Sequence, residues 1–386
     1  MDTARPRILV CPDKFKGTMT APQAAAAIEA GIRRVLPEAE VHRLPVGDGG
    51  EGTVDALLAA GALPRTTTAA DPLGRPVPAV WAVRDGTAII ELAAASGLAR
   101  IVPTDETART ADTFGTGELV RAALDAGATG IVLGLGGSAG TDGGTGILRA
   151  LGARFSDAAG DPLPPGGAAL VDLAEVDLSG LDPRLAGVPV VLCSDVQSPL
   201  LGTSGAARVF GPQKGALPGT VEVLEAGLAR LAAVLHRVTG RDAAALGTGG
   251  AAGGAAAGLQ VVLGATLRRG IDLVAELIGL DDRLAGADLL VVGEGSLDEQ
   301  SLAGKAPVGL AARAARQGVP TVAVAGRLDV PPELLRANGI AAAAAAVELA
   351  GSPADAMAAP EQWTTAAAAS LLRQVLDDPG LLSFPY

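Results

Sequence analysis

Short apolar runs alternate with amphipathic stretches at both ends of this 386-residue chain. That alternation predicts strand–helix–strand units. Arg7 to Cys11 reads as a buried strand. Thr20 is placed to cap a helix from about Ala21 to Val35, with Pro22 in its first turn. Val41 to Val46 is the next strand, and a helix follows to about Ala60. The same grammar returns with strands at Leu289 to Val292, Thr321 to Ala325 and about Ile340 to Val347. A last helix runs from about Glu361 to Leu376. Strands and helices in this order signal a parallel sheet. The first two strands end in polar clusters, at the carboxyl ends where open α/β sheets bind ligands.

The middle of the chain reads differently. Arg65 to Leu92 holds Thr-rich and Val-rich extended runs, a turn at Asp71-Pro72-Leu73-Gly74 and a hairpin signal at Asp85-Gly86. Antiparallel hairpins do not continue a βαβ series, so a boundary is expected near residue 63. Further on come a helix over Gly117 to Ala126, strands over Gly130 to Leu135 and Val188 to Leu192, and a long helix over Glu222 to Val238. A Gly/Ala-dense stretch from Gly247 to Gly258 reads as a loop feeding a tightly packed helix. The simplest assembly is α/β. A doubly wound, Rossmann-like parallel-sheet domain is built from both chain ends, residues 1–62 and 287–386, with a mixed α/β domain, residues 63–286, inserted. Three consecutive domains are the alternative, but two N-terminal strands are few for an independent sheet.

Composition narrows the class of partner. Aromatic residues make up 2% of the chain and the net charge is −12. Base stacking and phosphate-backbone binding are therefore poorly served, which argues against nucleic acid and anionic membrane. Cys11 and Cys193 each sit in an apolar run and are expected to be buried, reduced thiols. With His42 and His236 as the only histidines, a zinc site would need carboxylates for most of its ligands. No stretch reads as a signal peptide or membrane span, so a cytoplasmic protein is expected.

The candidate chemistry lies in the turns. Pro12 to Gly17 places Asp13 and Lys16 at a strand end. Asp48 to Thr53 interleaves glycines with Asp48 and Glu51, letting backbone and carboxylates approach a ligand together. Gly134 to Gly146 carries Gly136, Gly137, Ser138, Thr141 and Asp142 in a backbone-lined anion cradle. Its GxGxxA is a weak dinucleotide signal, and the pattern recurs at Gly247 to Ala252. Asp195 follows a buried strand, placed to bind magnesium or act as a base, and Lys214 sits in a tight turn. Leu289 to Pro307 joins an apolar run, a break at Gly293-Glu294-Gly295, the acid Asp298, and Gly304-Lys305 at a helix start. A helix N-terminus already favours an anion. No Walker A or nucleophile elbow is present, and acid–base work must rest on Asp, Glu or Lys. Carboxylates, lysines and Gly-rich turns point to phosphoryl transfer with magnesium.

The strings PDKFKGT, DGGEGT, GTGEL, GGSAGTDGGTG, FGPQKGA, GGAAGG, GIDLV and GEGSLDEQSLAGKAPVG occur in this order between Ile8 and Gly326. Together they resemble the bacterial glycerate kinase type 1 family. The resemblance implies a two-domain glycerate kinase I-like fold with the active site between the domains. It also implies ATP-dependent phosphorylation of D-glycerate at the 2-hydroxyl, giving 2-phospho-D-glycerate and ADP. On this reading Asp195, Asp48 and Lys305 are catalytic. Asp13, Lys16, Glu51, Thr53, Ser138, Asp142 and Lys214 bind substrate or phosphate. Gly136, Gly137, Gly293, Gly295 and Gly304 approach the nucleotide, and Asp195, Glu294 and Asp298 hold Mg2+. A homodimer is compatible with it. The chain departs from the family pattern at Thr141 and Ser198, where Asn is usual, and at Ser296, where Arg is usual. Ser296 leaves a kinase for another small hydroxy acid as the alternative. A sugar-acid sensor without turnover would be expected to have lost several of these acids and lysines, and they are retained.

Overall fold

The structure is a computed structural model that describes residues 5–47, 49–302, 306–378 and 380. Its strands in chain order begin with β1 (Arg7–Pro12), β2 (Glu40–Arg43), β3 (Leu63–Ala70), β4 (Pro76–Arg84) and β5 (Thr87–Glu91). They continue with β6 (Gly130–Gly134), β7 (Arg154–Ser156), β8 (Glu175–Asp177), β9 (Val190–Cys193) and β10 (Thr266–Arg268). The last three are β11 (Leu289–Leu297), β12 (Thr321–Leu328) and β13 (Ala342–Ala345). The chain divides into two compact units. One comprises Met1–Asp48, Asp55–Gly61 and Ile271–Tyr386, and the other Gly49–Val54 and Ala62–Gly270.

In the first unit five strands run parallel in the order β13-β12-β11-β1-β2. Numbered within the unit this is 5-4-3-1-2, a doubly wound order whose direction reverses between β1 and β11. Alternate residues of the central strands, Ile8, Val10, Leu289, Val291, Val322 and Val324, pack with Ile28 and Ile32 and with Leu371, Leu372 and Val375. The intervening Leu9, Cys11, Leu290, Val292, Ala323 and Ala325 are buried too, as a sheet covered on both faces requires. The Ala21–Val35 helix has a capping box between Thr20 and Gln23, with Pro22 in its first turn. It packs against the Pro360–Asp377 helix, and Thr365 donates to the Ala27 carbonyl at 3.0 Å.

Two of the departures from the expected strand limits bear on the site. β2 ends at Arg43, yet Leu44 and Val46 still donate to Val10 and Pro12 carbonyls at 2.8 and 2.9 Å, so the extended segment continues beside β1. β11 does not break at Gly293-Glu294-Gly295. It runs on to Leu297, paired with β12 as far as Leu328. Gly295 serves a close approach rather than a turn, because a Cβ there would lie 3.0 Å from the Lys16 backbone nitrogen.

The second unit holds a six-stranded sheet in the order β10-β9-β6-β5-β4-β3. The β10-β9-β6-β5 half is parallel and the β5-β4-β3 half is antiparallel. β7 and β8 form a separate two-stranded antiparallel sheet. Asp85 and Gly86 turn between β4 and β5 with φ of 49° and 78°, the left-handed pair a tight hairpin needs. Among the described residues no helix is long and apolar enough to cross a membrane.

Candidate active site

In the first unit, the expected residues gather at the carboxyl ends of β1 and β11, on either side of the point where strand order reverses. Asp13 donates its backbone N–H to the Gly293 carbonyl at 2.8 Å. Its side chain is nearly buried and accepts from the Lys14 N–H at 2.7 Å. Lys16 is exposed on the same loop. Gly293 and Gly295 let that loop lie against β11. A Cβ on Gly293 would lie 3.1 Å from Pro12, and one on Gly295 would lie as close to the Phe15 Cα. Glu294 and Ser296 share one strand face by the two-residue period. Asp298 accepts from the Ser301 N–H at 3.1 Å while Ser301 Oγ lies 3.3 Å from the Asp298 N–H, capping the short Glu299–Leu302 helix. Gly304 and Lys305 lie outside the described residues, as does Asp48.

In the second unit the motifs meet at the carboxyl ends of the parallel strands. The Gly49-Gly50 turn lies directly on the segment after β6. A Cβ on Gly134 would stand 2.5 Å from the Gly49 carbonyl, and one on Gly136 would stand 2.6 Å from the Gly50 Cα. Gly49 itself has φ +85° and faces Cys193, whose Sγ would be 2.4 Å from an added Cβ. No side chain fits at these contacts. Thr53, buried, accepts the Gly49 N–H at 3.1 Å, which closes the turn. Glu51 is exposed beside it. Asp195 leaves the end of β9, where its Oδ1 accepts the Gly270 N–H at 3.1 Å and lies 3.9 Å from Arg269 Nε. Its side chain is 31% exposed.

Asp142 and Lys214, expected at the ligand, are placed inside the loop that carries Gly136, Gly137 and Ser138. Asp142 is fully buried. Its carboxylate accepts from Thr113 N and Oγ1 at 3.1 and 2.8 Å, from Gly144 N at 3.1 Å and from Gly146 N at 3.0 Å. Lys214 is 2% exposed and donates to Ser138 Oγ at 3.0 Å and to the Gly140 carbonyl at 2.5 Å. Both charged groups therefore help to build the loop that carries Gly136, Gly137 and Ser138. Ser138 accepts from Lys214 and has little surface of its own. Thr141, one of the departures from the family pattern, is buried in the same packing.

Burial pushes the Lys214 pKa down to about 8 from 10.5, opposed by the charge of Asp142. The nearby Asp112 is pushed up to about 6 by burial and then by Asp142, although its ion pair with Arg149 acts the other way. Between pH about 8 and 10.5 the unfolded chain binds the extra proton at Lys214, so stability rises with pH across that window. Below about 8 both states are protonated and the penalty is constant. Lys214→Met is expected to remove this rise. Urea midpoints of the two proteins at pH 7.5 and 10 check it, and a wild type-to-variant difference that stays constant would refute it.

The metal expectation meets a more open arrangement. Among the described residues no group of three or more acidic, histidine or cysteine side chains forms a metal-holding cluster. Glu294 and Asp298 are four residues apart, about 13 Å along an extended strand. Magnesium binds hard oxygens and commonly takes one or two carboxylates with substrate phosphates rather than a complete protein cage. The donors present fit that mode.

Two polar residues beside these motifs carried no signal of their own in the sequence. Glu91 ends β5 and accepts the Val54 N–H at 2.7 Å. Arg269 stands half-exposed next to Asp195. Their only mark is position, as the last residue of one strand and the first after another.

The sequence matches the model of the glycerate kinase family over residues 8–376. It is 43% identical over 338 residues to the glycerate kinase of Bacillus subtilis (strain 168), covering 86% of this chain and 88% of the relative. It is 42% identical over 339 residues to the glycerate 2-kinase of Escherichia coli (strain K12), with the same two coverages. The fold superposes with a TM-score of 0.82 on the crystal structure of a candidate glycerate kinase 2 from Salmonella typhimurium LT2. That match has 39% identity and covers 97% of this chain and all of the other.

Proposed function

The chain belongs to the glycerate kinase family, and on that premise we propose that it phosphorylates D-glycerate at the 2-hydroxyl with ATP, releasing 2-phospho-D-glycerate and ADP. The observation that carries the reading is the match over most of the chain to relatives named glycerate kinase and, for the 2-position, glycerate 2-kinase. In the transfer the glycerate 2-oxygen forms a bond to the γ-phosphorus. The bond from that phosphorus to the bridging β-oxygen breaks, and the hydroxyl proton leaves. Positioning and charge neutralisation supply most of the rate in such reactions.

The roles of single side chains extend this reading. Asp195 follows β9, is partly exposed and accepts the Gly270 N–H at Oδ1, and in this reading its carboxylate orients the 2-hydroxyl and takes its proton. Asp48 is the second choice for that role. Lys16 and Lys305 neutralise phosphate oxygens, and Asp13 and Glu51 border the two strand-end turns. The backbone of Gly49 to Gly50 and of Gly136 to Gly137 gives close approach for an anion. Mg2+, held by Glu294 or Asp298 together with the nucleotide, would screen the charge on its phosphates. Phosphorus NMR of the purified protein with ATP and D-glycerate is expected to show ADP with a 2-phosphoglycerate resonance. A 3-phosphoglycerate resonance would overturn the position of transfer, and ATP left intact would overturn the reaction.

A further inference from the structure

A cavity of about 330 Å³ opens in the first unit beside the carboxyl ends of β11 and β12. Its walls include Phe15, Val347, Ala356 and Met357, and Lys16 and Arg327 add two cations to the lining. Arg327 lies in direct register with Ser296 on the neighbouring strand. Two hydroxyls of the lining, Ser296 Oγ and Thr364 Oγ1, are buried without a hydrogen-bond partner, and Thr364 is 1% exposed. Buried polar atoms are normally paired, so these two mark hydrogen-bonding capacity held for a ligand. The 18-residue Pro360–Asp377 helix starts at the cavity and has no side-chain cap.

We propose that this cavity receives the adenine nucleoside of ATP, an inference that rests on the kinase reading above. Four features fix the occupant. The cavity sits beside the reversal of strand order, where doubly wound sheets take nucleotides. Its volume is at the low end of small-molecule pockets, about 300–1,000 Å³, and so suits a base and sugar rather than a whole triphosphate. Its apolar walls suit the faces of a heterocycle, and the two unpaired hydroxyls suit its polar edge. Lys16 links the cavity to the loop after β1, which lies against Gly293 and Gly295. The phosphates therefore run from the nucleoside toward the β1–β11 crevice.

Photolabelling of the full-length wild-type protein with 8-azido-ATP tests the assignment. The label, protected by excess ATP, is expected on peptides spanning residues 15–18 or 346–364. An ATP-protected label confined to residues 49–54 or 62–270, or no protected label, overturns the pocket. If the label lies elsewhere while glycerate is phosphorylated, the pocket fails and the kinase reading stands. If the pocket is labelled and glycerate is not phosphorylated, the kinase reading fails and the pocket stands. As a second measure, Ala356→Phe is expected to raise the KM for ATP about tenfold, or about 1.4 kcal/mol. The KM for glycerate should stay within about twofold, since only nucleotide binding is obstructed. A rise in the glycerate KM alone would assign the cavity to glycerate and overturn the proposal.

Discussion

Asp142→Ala is expected to destabilise the fold by about 4 kcal/mol or more. The carboxylate is fully buried and accepts four hydrogen bonds, two from Thr113 and one each from Gly144 and Gly146. Thr113 Oγ1 in turn accepts the Ile147 N–H at 3.1 Å, so the network fixes the start of the Thr145–Ala150 helix. Alanine leaves four buried donors without an acceptor. An orphaned buried donor costs about 1–3 kcal/mol, so the sum is about 4 kcal/mol even at the low end. Total stabilities are about 5–15 kcal/mol. Asp142→Asn should cost much less. Its oxygen can replace Oδ2, which takes three of the four bonds, and its amide nitrogen then opposes only the Gly144 N–H. Urea unfolding of both variants decides the matter. An alanine variant within about 1 kcal/mol of wild type, the ordinary cost of a point mutation, would show that the network does not hold the loop.

The same residue shows where sequence reading stops. The alternation of apolar runs and helical stretches made the parallel sheet of the first unit legible, because a strand buried on both faces must be apolar throughout. The turn at Asp85-Gly86 was legible because few residue pairs adopt its left-handed backbone. Asp142 and Lys214 read as ligand groups from their Gly-rich turns and the family resemblance, and neither signal tells how deeply the side chains are buried. What buries Lys214 is the Gly140 carbonyl, 74 positions away in sequence, and nothing local to Lys214 encodes that contact. β11 misled for a related reason. Glycines at 293 and 295 resemble a break, but pairing with β12 supplies the order their own conformational freedom lacks. Glu91 and Arg269 sit in no motif and gain interest only because strand ends bring them to Val54 and Asp195.

Asp195→Asn is the substitution expected to damage turnover most while leaving the fold intact. Asparagine keeps the side-chain volume, and its oxygen can still accept the Gly270 N–H that now meets Oδ1 at 3.1 Å. It cannot take a proton at pH 7. General-base assistance contributes about 10²–10⁴ in rate, so kcat for glycerate should fall by about that factor, with the KM values little changed. A change in kcat without a change in KM marks an interaction made in the transition state. The pH profile separates this from a positioning effect. If Asp195 is the base, the acidic limb of kcat/KM in the wild type reports its protonation, and that limb should disappear in the residual activity of the variant. A merely positioning carboxylate would leave the limb in place. Retained turnover within about tenfold of wild type, less than general-base loss would permit, would move the proton-accepting role away from Asp195. Asp48→Asn, assayed in the same way, would then show whether that carboxylate takes it.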